Sequence, residues 1–151
     1  MIRVRGHAIS KLLSMVAMCG VLNLLVVPTL MAKEIAIIVH PDMMVSMSKL
    51  DIQRIFLGKN NLFPDGEPVL PIEPEKNDVA HDVFLQKVLK KTPRQIRAYR
   101  TKQIFTGRGN PPKQAESTEE LLALVASNKR YIAYLSSDLV DSRVRVAKLI
   151  D

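Results

Sequence analysis

The chain has 151 residues, 47% of them hydrophobic and 25% charged, with 22 Lys and Arg against 15 Asp and Glu for a formal net charge of +7. That length and composition suffice for one ordinary hydrophobic core and exclude a fibrous or disordered protein. Cys19 is the only cysteine and falls in an N-terminal leader, so disulfides, thiolate catalysis and cysteine-ligated metals are excluded from the remainder.

In chain order, Arg3, Arg5 and Lys11 precede an uncharged run over residues 12–32, the pattern of an export signal. Pro28 breaks a helix shortly before Ala32, the expected cleavage position. A retained N-terminal anchor is the alternative, and Gly20, Asn23 and Pro28 argue against it. The expected organisation is a signal peptide over 1–32 and one domain over 33–151, located in the periplasm or secreted. The leader carries three basic residues and no acid, so +4 of the +7 belongs to residues 33–151.

Residues 34–39 (Glu-Ile-Ala-Ile-Ile-Val) form an apolar, β-branched run of strand length, as expected for a strand buried on both faces. His40-Pro41-Asp42 ends it with turn chemistry. Ser48-Lys49-Leu50-Asp51 has the Ser-x-x-acid spacing of a capping box, which predicts a helix starting at Ser48. Leu50, Ile52, Ile55, Phe56 and Leu57 supply its apolar positions, and Gly58 ends it. The turn-rich segment 60–66 predicts a surface loop, followed by a short strand over 69–72 and a helix from about Asp78 with Val79, Val83, Phe84, Val88 and Leu89 on one face.

Thr92-Pro93-Arg94-Gln95 is a second helix start, with Pro at the first helical position, and that helix runs to about Phe105. A Gly and Pro loop follows over 106–112, and Ser117-Thr118-Glu119-Glu120 opens a further helix that Asn128 can cap. Residues 131–135 read as a strand, and Val144, Val146 and Ile150 alternate as in a final edge strand. Strands interleaved with helices predict an α/β layer structure.

Chemistry-bearing patterns are few. His7 lies in the leader, and His40 and His81 have no second imidazole nearby, so no metal set is expected; His40 reads as a turn residue paired locally with Asp42. No Gly-x-Ser-x-Gly nucleophile is present, and Glu73 and Glu75 beside Lys76 read as a solvated loop, so neither an enzyme nor a cofactor is expected. Gly107-Arg108-Gly109 lets backbone amides approach an anion, with Arg108 as a bidentate grip, and the helix start at Ser48 is a second candidate seat. Candidate ligand-binding residues from these two patterns are Ser46, Ser48, Thr106, Gly107, Arg108 and Gly109. Residues 83–115 hold no acid, and Arg94, Arg97 and Arg100 recur every third residue, which predicts a positive face for an anionic partner; export argues against nucleic acid.

The ordered segments Ile-Ala-Ile-Ile-Val-His-Pro, Leu-Asp-Ile-Gln-Arg-Ile-Phe-Leu-Gly-Lys, Phe-Pro-Asp-Gly-Glu-Pro-Val, Phe-Leu-Gln-Lys-Val-Leu, Ile-Phe-Thr-Gly-Arg-Gly and Tyr-Ile-Ala-Tyr-Leu span nearly all of 34–135. On these residues the chain resembles the periplasmic-binding-protein-like domain of phosphate ABC-transporter substrate-binding proteins, in their short single-lobe form. The resemblance implies one α/β lobe of the type 2 fold, a mixed sheet flanked by helices, that binds phosphate or another small anion and works with a membrane transporter. It also implies an arginine followed by a Gly-Ser-Gly-Thr-type helix start, where this chain reads Glu73-Pro74-Glu75-Lys76-Asn77-Asp78-Val79-Ala80. The phosphate grip as such is missing there and three carboxylates would repel an anion, while Lys76 and Asn77 remain in the stretch as candidate ligand-binding donors. A single lobe would need a partner or a homodimer to close over a ligand. The reading from another class is an accessory module that docks on a membrane sensor, transporter or envelope component.

Overall fold

The computed structural model describes residues 34–76 and 78–151; the expected leader and Asn77 lie outside the described residues. Ile35–Val39 (β1) is fully buried at every position, because its successive side chains point to opposite faces and both faces are covered. The other strands of its sheet are β2 (Leu70–Glu73), β3 (Lys113–Gln114), β4 (Tyr131–Ser136) and β5 (Arg145–Ile150), in the order β3-β2-β4-β1-β5. β1 runs antiparallel to both β4 and β5, while β2 runs parallel to β3 and β4, so the sheet is mixed. Ile35 lies opposite Ser136 and Val39 opposite Ile132, and a bulge between Ile37 and Ile38 shifts the pairing with β5.

Helices α1 (Lys49–Phe56), α2 (Val79–Phe84) and α3 (Pro93–Phe105) pack residues against one sheet face, together with a π-helical turn, Leu85–Leu89, that prolongs α2. Ile35, Ile37, Val39, Ile132 and Tyr134 meet Ile52, Phe56, Phe84, Val88 and Ile96 there. Helix α4 (Thr118–Ser127) covers the other face, where Leu121, Leu122 and Val125 meet Ala36, Ile38, Ala133 and Leu135. No described helix is long and apolar enough to cross a membrane.

The helix starts follow local chemistry. Ser48 and Asp51 form a reciprocal capping box at α1, Thr92 and Gln95 form another at α3, and Ser117 caps α4 through the Glu120 amide. Gly58 follows α1 with φ +66°, the left-handed conformation that glycine adopts without a Cβ clash. Two expectations on apolar positions need correction. Leu50 is 51% exposed, since it sits two residues from Ile52 and therefore about 200° round the helix from the buried stripe. Val79 is 58% exposed in the first turn of α2, while Phe84, Val88 and Leu89 are buried. β2 begins one residue later than expected, because the Val69 amide is taken by the Asn61 carbonyl of the preceding loop and the Leu70 amide is the first to turn toward β4, bonding Arg130.

Candidate functional site

The site forms where β2 ends. Ile72 points to the α4 side, so the alternation of the strand turns Glu73 to the side of α1 to α3. Glu73 was expected in a solvated loop; instead it is 4% exposed, and the guanidinium of Arg100 donates to both its carboxylate oxygens, Nη1 to Oε2 at 2.8 Å and Nη2 to Oε1 at 2.5 Å. Glu75 is exposed, as expected.

Arg100 is also corrected as part of a free cationic face. A three-residue spacing falls 60° short of a full helical turn at each step, so Arg94, Arg97 and Arg100 drift about 120° around α3. Arg100 thereby comes within about 40° of Ile96, the one buried residue of α3 and its i,i+4 neighbour. Arg94 and Arg97 remain exposed, whereas the Arg100 side chain is only 19% exposed.

Around this ion pair lies a cleft of about 630 Å³, with Pro93, Ile96, Ile104, Pro111 and Pro112 as apolar lining and Lys76, His81, Asp82, Arg97, Thr101 and Gln114 as polar lining. Lys76 and Arg97 make no ion pair among the described residues. His81 Nδ1 lies 2.8 Å from the hydroxyl of Tyr134, which is fully buried between Phe84, stacked at 3.8 Å, and Phe56. Burial pushes the Tyr134 phenol well above its ordinary range, and the negative charge of Glu73 adds to that while Arg100 opposes it. Tyr134 is thus a neutral hydroxyl under the cleft.

Of the residues singled out in the sequence, the cleft brings together Lys76, Arg97 and Arg100. Ser46 and Ser48 are exposed outside it. The Ser48 hydroxyl donates to Asp51 Oδ2 at 2.6 Å and accepts from the Asp51 amide at 3.1 Å, and the Ser48 amide donates to the same carboxylate at 3.0 Å. These bonds from Ser48 hold the Asp51 carboxyl below its ordinary value. Thr106 caps the other end of α3, its hydroxyl donating to the Lys102 carbonyl at 2.8 Å. That is the carbonyl-rich, negative end of a helix, which favours cations rather than anions. Gly107 and Gly109 have φ of +64° and +145° and turn the chain back toward Pro111 and Pro112, and Arg108 is exposed. Thr106, Gly107, Arg108 and Gly109 do not line the cleft.

Apart from Lys76, Arg97 and Arg100, the lining residues were not among the candidates read from sequence, Glu73 and His81 included. The signal that was present is the Ile96–Arg100 spacing, which places a cation on a buried helix face and so demands a buried acid.

No family model matches the chain, and no curated protein matches its sequence. Solved structures do. A phosphate ABC transporter substrate-binding protein from Clostridium perfringens, with bound phosphate, is 20% identical with a TM-score of 0.59 over 77% of this chain and 45% of that one. An ABC-type phosphate transport receptor from Vibrio cholerae is 12% identical with a TM-score of 0.51, over 76% of this chain and 45% of that one. PstS from Borrelia burgdorferi is 10% identical with a TM-score of 0.51, over 70% of this chain and 41% of that one. The fold is periplasmic-binding-protein-like. The chain spans less than half the length of each of these structures.

Within this periplasmic-binding-protein-like fold, two local hydrogen bonds lie at the end of β2 and the start of α2. Asp78 is the N-cap of α2 and accepts from the Ala80 amide at 2.7 Å, so one amide at the helix start is already bonded. The Ala115 amide donates to the Glu73 carbonyl at 2.9 Å, tying β3 to the end of β2. The cations that line the cleft on this side of the fold are the side chains of Lys76, Arg97 and Arg100.

Proposed function

We propose that the chain is an exported, non-enzymatic solute-binding domain of periplasmic-binding-protein-like fold that takes a small anion in the cleft between the end of β2 and α3. One observation carries this reading: three cations, Lys76, Arg97 and Arg100, line one cleft with apolar walls, and only Arg100 is paired among the described residues. The named activity of the structural neighbours supports phosphate or a related oxyanion as the first class to try, while the absence of the Arg and Gly-Ser-Gly-Thr pattern argues for a different grip. Titration calorimetry of the purified protein with phosphate, sulfate and small carboxylates tests it. Saturable heat that Arg97→Glu abolishes is the expected result, and no heat from any of them at millimolar concentration removes the solute-binding reading.

A second reading has an observation of its own. Arg94 and Arg97 are exposed on α3, and the same helix ends in Ile104 and Phe105, 56% and 86% exposed. Cations beside exposed apolar side chains suit a docking surface for an acidic membrane sensor, transporter or envelope partner. Capture of envelope proteins by wild type but not by Arg94→Glu/Phe105→Ala is the expected outcome, and equal recovery counts against it. Arg100→Glu is unsuitable for this test, because it would place two carboxylates in one buried site.

A further inference from the structure

We propose that Glu73 is a built-in occupant of an oxyanion site: the Arg100 guanidinium, flanked by Lys76 and Arg97, binds a small oxyanion presenting two oxygens on one edge, and the Glu73 carboxylate fills that position from within. The inference concerns the same cleft as the proposed function but does not require the wild-type protein to bind a solute.

The geometry is that of ligand recognition. Arg100 holds Glu73 through two parallel N–H···O bonds of 2.8 and 2.5 Å, the fork by which a guanidinium recognises any two-oxygen edge of a carboxylate, sulfate or phosphate. Both residues line the open cleft rather than the sealed core, and Arg100 keeps 19% of its side chain exposed while Glu73 keeps 5%. The charge around the pair is unbalanced in the sense an anion needs. Without Glu73 the lining would present Lys76, Arg97 and Arg100 against Asp82 alone.

A purely structural tie between β2 and α3 is the competing account. A buried ion pair is a weak stabiliser, since desolvating both charges offsets most of their attraction, and an apolar pair would join the two elements as well. The pair's place on a cleft wall and the two further cations that line the same cleft are what an anion site needs and a structural tie does not.

The experiment is chemical rescue in the full chain. Glu73→Ala, Glu73→Ala/Arg100→Ala and wild type are compared by thermal unfolding in formate, acetate, sulfate and phosphate, each against chloride at matched ionic strength. The proposal expects Glu73→Ala to unfold at lower temperature than wild type and to be restored, saturably and at millimolar concentration, by at least one oxyanion. Wild type, whose fork is already filled by Glu73, and the double variant, which has lost the fork, should both respond less than Glu73→Ala to the same anion. Rescue by formate and acetate alone assigns the site to carboxylates, and rescue by sulfate or phosphate assigns it to tetrahedral oxyanions. Equal responses in all three proteins overturn the proposal. If Glu73→Ala does not fold, Glu73→Gln, which keeps the side-chain volume, is titrated by calorimetry with the same anions. It should bind one of them about tenfold or more tightly than wild type does, and no gain overturns the proposal. Failure of the wild type to bind any anion would remove only the reading under the proposed function.

Discussion

The two faces of the sheet share the same strands yet bury different chemistry. On the α4 side the packed residues are Ala36, Ile38, Ile72, Ala115, Leu121, Leu122, Val125, Ala133, Leu135 and Val144, all apolar. On the other side the ring cluster of Phe56, Phe84 and Tyr134 passes into polar groups: His81 bonded to Tyr134, then Glu73 bonded to Arg100 at the cleft. An apolar face needs only volume and shape, whereas every buried polar group must find a partner or cost stability. The face with buried polar groups is the one that carries the cleft, and its packing is where substitutions separate structure from binding.

The largest effects should come from that polar and aromatic face. Phe84→Ala removes a ring that contacts both Phe56 and Tyr134 and should lower stability by about 3–5 kcal/mol in urea denaturation. Arg100→Ala leaves Glu73 buried without its partner and should cost about 3–5 kcal/mol. The double variant Glu73→Leu/Arg100→Leu should lie closer to wild type than either single change, because the uncompensated charge is gone. A double variant as unstable as the sum of the singles would show that the two residues act independently.

A smaller effect concerns pH. The Tyr134 phenol is raised in the folded protein, so above its ordinary value the unfolded chain loses a proton that the folded chain keeps. Stability should therefore fall as pH rises beyond about 10, and Tyr134→Phe should flatten that fall in pH-dependent unfolding. The local cap at α1 should matter less than the core: Ser48→Ala should cost about 1 kcal/mol. Last, Ser136 is fully buried on β4, and its hydroxyl has no hydrogen-bond partner among the described residues. Ser136→Ala should leave stability unchanged or raise it by up to about 1 kcal/mol, against the usual cost of removing a buried hydroxyl.

The candidate site was less legible than the fold, and particular residues show why. Ser48 with Asp51, Thr92 with Gln95, and Ser117 are read correctly from sequence because a cap joins groups three residues apart, a distance set by helix geometry alone. Glu73 and Arg100 are 27 positions apart in sequence, and nothing local requires them to meet. The glycine loop over 106–109 drew attention by its composition, but its position at the negative end of α3 makes it a turn leading to the cleft lining. His40 behaves as its Pro-Asp context implies, accepting from the Asp42 amide at 3.2 Å.

The sequence alone determined the elements that depend on contiguous residues: where each helix starts, that β1 is buried on both faces, and that strands alternate with helices in one α/β layer structure. Those features follow from hydrogen bonds and side-chain periodicities a few residues long. The tertiary structure decided which face each strand residue serves and therefore that Glu73 is buried opposite Arg100. That pairing depends on the order β3-β2-β4-β1-β5 and on the drift of the arginines around α3, which together bring distant charges to one cleft.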